Sequence, residues 1–298
     1  MQTYTIQSFK YLKQKPPVST RCQLPADYGY QRFTKIETEN DKIPKSFVQF
    51  AFENARKEIF QKRYGFRNDP YNQRTNPKEI LLIRNQRMYL KRLCLDNDNI
   101  WMREHQRETV PASRIVLTMY YSICFVLDVI YKDKPIDRFW FLETIARMPY
   151  FSYVAVLYMY ESLGFWEIDG QLKRIHLNEE INEAQHLRIM ESIGGDALWW
   201  NRFIARHVAM VYYVVLVVLF MASPRTAYMS SELLERHAVD TYEEFAQANK
   251  NILMKMPLTQ SALDYLPEAK TFYEVFTNIA NDERTHAETM RVVRNMRQ

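Results

Sequence analysis

Apolar and polar positions divide the chain after Pro111 into two kinds of segment. Residues 115–131 and 208–222 are almost unbroken apolar runs. The first is interrupted by Asp128 and bounded by Arg114 and Lys132; the second follows Arg202, Arg206 and His207 and stops at Ser223-Pro224-Arg225. Elsewhere Leu, Met, Ala, Glu and Arg recur with helical rather than alternating spacing, and the chain has only six glycines. That pattern predicts a mainly α protein. Each apolar run is shorter than the roughly 20 residues an unaided bilayer span needs. A buried core helix, a span, and a helix lying in a bilayer interface with basic flanks all fit such a run. A mean hydropathy of -0.41 argues against several spans. The Tyr, Phe, Trp and Arg gathered around the runs favour the interface.

Residues 1–110 differ, being rich in Tyr, Lys, Arg, Asn and Pro. Two helices are expected there. In the first, residues 45–60, Val48, Phe52, Ala55 and Ile59 share a face. In the second, residues 77–94, Pro77 suits the first turn. This part reads as an accessory arm, followed by a second domain over 111–298. The first 22 residues carry no acid and weakly resemble an organelle transit peptide, and they lack the apolar stretch of a secretory signal. The net charge of +5 arises from mixed signs rather than long basic blocks, which gives nucleic-acid binding little support and leaves anionic lipid open. Cys22, Cys94 and Cys124 are odd in number and form no CxxC, so neither a disulfide scaffold nor a thiolate metal site is expected.

Two segments, NEAQH and NDERTH, each hold Glu and His three residues apart: Glu183/His186 and Glu283/His286. On a helix that spacing aims a carboxylate and an imidazole at one point. A single ExxH is commonly a solvated pair; two among six histidines justify a search for more. A two-metal site in a helical bundle needs one further Glu from each of two other helices. Glu143 lies among Phe141, Leu142, Ile145 and Ala146, where an unpaired carboxylate is costly. Between the ExxH segments stand Glu232 and Glu235, the latter seven residues before Tyr242. The order Glu143, Glu183/His186, Glu235, Glu283/His286 puts a lone Glu before each ExxH. Four carboxylates balance two divalent ions, and oxygen with imidazole donors favours iron over zinc. Asn182 and Asp282, each next to an ExxH, are placed to bond a ligand histidine from behind.

The stretches LETIARMPYF, NEAQHLRIMESIGG, SPRTAY, LERHAVDTYEEF and NIANDERTHAETM, within about residues 128–294, resemble the alternative oxidase family. The match is to its plastid and cyanobacterial branch of plastoquinol terminal oxidases. The resemblance implies a ferritin-like four-helix di-iron carboxylate core with further helices forming a membrane-interface surface. It implies a homodimer on one leaflet that oxidises quinol and reduces dioxygen to water. By motif, the two iron ions fall to Glu143, Glu183, His186, Glu235, Glu283 and His286, and the family's tyrosine near the metal falls on Tyr242. Quinol positions fall on Arg138, Leu142, Ala238 and Thr241. His237 stands where mitochondrial members carry a glutamate, which favours plastoquinol over ubiquinol. Glu179, Glu180 and Glu232 match no motif and are expected to be solvated. Only a short linker joins Met256-Pro257 to Tyr273, where plastid members carry an insertion, and this leans towards a cyanobacterial-type or phage-borne enzyme.

The resemblance further implies attachment to a thylakoid or cytoplasmic membrane on its reducing side, without proton pumping. Two other readings stand beside it: a di-iron hydroxylase acting on a lipid-like substrate, and a membrane-surface helical protein without enzymatic activity.

Overall fold

The computed structural model describes residues 46–64, 89–166 and 170–296. The chain divides at Glu53 into two units. In the first, Met1–Glu53, only residues 46–53 are described, the opening turns of helix α1 (Phe47–Tyr64). Val48, Phe52 and Ile59 on that helix are exposed. The first 22 residues lie outside the described residues, as does most of the helix expected at 77–94. Tyr89 and Leu90 are helical and the chain turns at residues 91–92.

The second unit, Asn54–Gln298, holds α2 (Asn97–Gln106), α3 (Arg114–Ile130), α4 (Pro135–Ser162), α5 (Gln171–Ser192), α6 (Trp199–Ala222), α7 (Pro224–Ala248), α8 (Lys250–Leu253), α9 (Gln260–Tyr265) and α10 (Phe272–Arg294). Among the described residues there is no strand. Sequence sets the helix starts. Ser113, Thr259 and Thr271 cap α3, α9 and α10 through their hydroxyls, accepting from Val116, Ala262 and Glu274 amides. Pro135 and Pro224 occupy first-turn positions, where a missing N–H costs nothing. After α5, Gly194 turns at a φ of 92° and Gly195 lies so close to α4 that a Cβ there would stand 2.6 Å from Trp140 Cβ.

α7 packs along α10, and α4 packs against both α5 and α6. α4, α5, α7 and α10 form the bundle that carries all six acid and imidazole candidates. Two apolar clusters fill it. One is built on Phe139, Trp140, Tyr242, Phe245 and Phe276, the other on Tyr150, Tyr153, Phe220, Tyr228 and Met290.

Outside this core, α3 and α6 present apolar side chains to solvent. Ile115, Met119, Ile123, Val126 and Val129 are exposed on α3, and Phe203, Met210, Val211, Val214 and Val218 on α6. α6 begins nine residues before the apolar run at 208–222, because Asn201, Arg202, Arg206 and His207 interrupt hydropathy without interrupting the helix. Its 24 residues are long and apolar enough to cross a membrane by length and composition, and 22% of its most apolar stretch is buried.

Candidate metal centre

Glu143 reaches inward from α4, Glu183 and His186 from α5, Glu235 from α7, and Glu283 and His286 from α10; all six are at most 4% exposed. They form two overlapping quartets, Glu143/Glu183/His186/Glu283 and Glu183/Glu235/Glu283/His286. Within each, one donor atom per residue lies within 4.8 Å of the others. Glu183 and Glu283 belong to both, so two sites share a pair of carboxylates. Each imidazole faces the opposite helix's glutamate: His186 Nδ1 is 3.1 Å from Glu283 Oε1 and His286 Nδ1 is 2.8 Å from Glu183 Oε1.

Most of the donor atoms are unsatisfied. Glu143 Oε2, both Glu183 oxygens, Glu283 Oε1 and the Nδ1 atoms of both histidines are buried without a hydrogen-bond partner. Four carboxylates facing one another in a dry interior are strongly unfavourable unless something positive lies between them. The charge balance shows the strain. Burial, followed by the charge of Glu183, pushes Glu143 well above the usual carboxylate range. Burial and Glu283 do the same to Glu235. Burial also pulls on Glu283, but the approach of both imidazoles outweighs it and holds that group low. Burial disfavours charge on His186 and His286, yet the acids around them raise both well above the imidazole range. The cluster is able to hold metal ions, and its orphaned oxygens and nitrogens are the atoms that would do so.

Behind His186 the supporting contacts are made, with Asn182 Oδ1 alone among them buried without a partner. Asp282 Oδ2 lies 3.3 Å from His186 Nε2 and accepts from Asn182 Nδ2 at 3.0 Å and from the Tyr265 hydroxyl at 2.6 Å. An ionised carboxylate only accepts, so Asp282 favours a proton on His186 Nε2, the arrangement that would leave Nδ1 to ligate a metal ion held between the acids. On the other side the Tyr242 hydroxyl donates to Glu143, and the Tyr150 hydroxyl donates to Glu235 at 2.7 Å. The centre thus lies between the two aromatic clusters, tethered to each by a phenol.

Arg138 and His237 meet across α4 and α7, with Arg138 Nη2 donating to His237 Nε2 at 3.3 Å. Arg138 is fully buried and held by Asp128 at 2.6 Å and Asn97 at 3.2 Å. Thr241 is buried, its hydroxyl bonded to the His237 carbonyl, while Leu142 and Ala238 are partly buried against the core. None of these five lines the 320 Å³ cleft bounded by Leu266, Tyr273, Thr277, Asn278 and Asn281.

Three glutamates expected in solvent are not there. Glu232 is fully buried, paired with Arg236 at 2.8 Å and Arg294 at 3.1 Å. Glu179 is buried and 2.9 Å from His176 Nδ1. Glu180 is partly buried against Arg147. Tyr150, Tyr265, Asp128 and Glu104, which lies 3.6 Å from His237, also escaped the motif reading. Tyr265 sits on α9, inside the stretch that reads as a short linker. The one sequence signal available was His176/Glu179, the ExxH spacing run backwards.

A family model described as Alternative oxidase matches residues 98–295. Ubiquinol oxidase 4, chloroplastic/chromoplastic, of Arabidopsis thaliana is 40% identical over 191 residues, 57% of this chain and 54% of that one. Ubiquinol oxidase 2, mitochondrial, of Glycine max is 28% identical, covering 53% of this chain and 48% of that one. Alternative oxidase 1, mitochondrial, of Candida albicans is 26% identical, covering 56% and 46%. The chain spans about half the length of the curated relatives it matches. With the family model covering most of the second unit and all six inward-facing acid and imidazole residues, the chain belongs to the alternative oxidase family.

Proposed function

We propose that this protein is a membrane-bound, non-haem di-iron quinol oxidase, taking electrons from quinol and reducing dioxygen to water. The observation that carries the reading is the buried set of four carboxylates and two imidazoles, with unpartnered donor atoms on all of them but Glu235. Glu143, Glu183, His186, Glu235, Glu283 and His286 are the proposed ligands of two iron ions, whose four positive charges cancel the four carboxylates. Bound there, iron supplies the one-electron redox chemistry that dioxygen reduction requires.

The chain's own residues do the rest. Asp282 fixes the His186 tautomer and, with Asn182, its orientation. Tyr242, bonded to Glu143, is placed to give up an electron and a proton during O–O cleavage. Arg138, whose Nε is buried without a partner, is a ready donor to a quinol oxygen. Thr241 and His237 flank it, and Leu142 and Ala238 supply apolar contact. Two quinols provide the four electrons and four protons that one dioxygen consumes, and the proposed reaction includes no proton pumping.

The exposed apolar faces of α3 and α6 support a monotopic attachment that lets a lipid-borne quinol approach without entering water. A homodimer on the cytoplasmic or stromal face of a cytoplasmic or thylakoid membrane completes the reading. His237, with the higher identity to the chloroplastic relative than to the mitochondrial one, supports plastoquinol over ubiquinol.

The test is oxygen uptake by purified, metal-analysed protein with a short-chain plastoquinol in the presence of cyanide. Cyanide-resistant uptake with about two irons per chain is the expected result. Bound iron with oxygen inserted into a lipid-like substrate instead would make the protein a hydroxylase, and folded protein without iron would end the di-iron reading.

A further inference from the structure

A second buried titratable cluster lies beyond the proposed ligands and has no part in the mechanism above. His176 on α5 is fully buried, with Nδ1 2.9 Å from Glu179 Oε2 and Nε2 2.9 Å from the Tyr228 hydroxyl. The Glu179 carboxylate only accepts, so the imidazole proton sits on Nδ1 and Tyr228 donates to the Nε2 lone pair. Tyr228 is therefore a buried phenol with a base waiting for its proton and a carboxylate behind that base. Burial, with the charge of Glu179 added, holds the Tyr228 phenol far above its ordinary range, so at rest it keeps the proton.

This triad is joined to the metal cluster by packed rings. The Tyr150 ring lies 6.1 Å from His176, and its hydroxyl donates to Glu235 at 2.7 Å. Tyr153 packs 5.4 Å from His176 and 4.9 Å from Tyr228. Tyr242 stands at the other side of the cluster, on Glu143. A network whose only task is packing needs no base at the phenol oxygen; an apolar ring would fill the same space.

We propose that Tyr228 is a redox-active tyrosine that gives one electron to the oxygen-reducing centre, by way of Tyr150, when quinol is lacking. Dioxygen is the oxidant: of the four electrons it takes, two ferrous ions would supply two, Tyr242 a third and the Tyr228 phenol the fourth. The phenol loses one electron to the centre and its proton to His176 Nε2, leaving a neutral phenoxyl radical and an imidazolium facing the Glu179 carboxylate. No proton leaves the core. An electron later derived from quinol returns the radical to the phenol, and the proton moves back from Nε2. The proposal rests on the quinol-oxidase reading and adds to it an outlet for oxidising equivalents that protects the fold.

The experiment uses full-length, iron-loaded protein, reduced without oxygen, mixed with dioxygen in the absence of quinol, freeze-quenched and examined by electron paramagnetic resonance. The expected result is a tyrosyl radical with a deuterium-exchangeable coupling from His176. It falls at least several-fold in Tyr228→Phe, is retained in Tyr242→Phe, and loses the strong exchangeable coupling in Glu179→Gln, which keeps the shape of the triad. An unaltered radical in Tyr228→Phe, or no radical in protein that binds iron and oxidises quinol, overturns this proposal alone. Folded protein that binds no iron or oxidises no quinol overturns the oxidase reading and this proposal with it.

Discussion

His186 and His176 lie ten residues apart on the same helix, both fully buried, and each has a glutamate three positions away. Their surroundings differ in one respect. Both nitrogens of His176 have hydrogen-bond partners, whereas His186 has one satisfied nitrogen, held by Asp282, and one orphaned nitrogen facing three carboxylates. Spacing and burial do not separate a metal-binding pair from a hydrogen-bonded one; the balance of donors and acceptors does. Removing a positive ion exposes uncompensated charge around His186 and nothing around His176.

The comparison can be tested from its strongest side. Glu183 belongs to both quartets, so Glu183→Ala is expected to abolish quinol oxidation and empty both sites, read as iron per chain by elemental analysis. A variant that kept its iron would show that the quartets do not hold it. Chelation of the wild-type protein is the next largest effect, about 4 kcal/mol of stability relative to metal at a thousandfold its Kd. The metal-free protein should also acquire a pH dependence. Glu143, Glu235, His186 and His286 have raised folded-state pKa values, so each adds stability below its unfolded pKa and loses it as pH rises through the folded value. Glu283, lowered, acts in the opposite sense, adding stability above its unfolded pKa. With four groups against one, the Tm of metal-free protein should fall as pH rises through neutrality. A Tm that stayed level would mean that the carboxylates are not packed as described.

Glu232 offers a buried carboxylate compensated by cations instead: neither of its oxygens has a hydrogen-bond partner, but Arg236 and Arg294 lie 2.8 and 3.1 Å away. Glu232→Ala strands Arg236 and Arg294 and is expected to cost about 3–5 kcal/mol in denaturant unfolding, with iron content unchanged. Loss of iron there would tie the ion triad to the centre. Asp282→Ala frees His186 to take the wrong tautomer and should weaken metal affinity roughly 10–100-fold by competition titration. Last, His176→Leu leaves Glu179 and Tyr228 without their partner and is expected to cost about 1–3 kcal/mol without loss of iron. A metal-deficient His176→Leu would erase the distinction between the two histidines.

Much of the centre was legible because its logic is local. Glu183/His186 and Glu283/His286 declare themselves by helical spacing, and Glu143 by its apolar neighbours. Glu179 and Glu232 were misjudged for a different reason. Nothing in their own segments says that Tyr228 will complete the triad behind Glu179, or that Arg294, from another helix, will meet Glu232. Tyr265 was hidden because a six-residue helix leaves no periodic signal, and the start of α6 because polar residues on a long helix break hydropathy without breaking hydrogen bonds.

Residue types and spacing along single helices therefore determined the mainly α character, the paired Glu and His donors and the lone glutamate before each pair. Tertiary structure decided which donors remain unsatisfied, which phenols hold Glu143 and Glu235, and which buried acids face a cation. The physical reason is that spacing places side chains on a face within one helix, while charge compensation and hydrogen bonding are settled by what the neighbouring helices bring to that face.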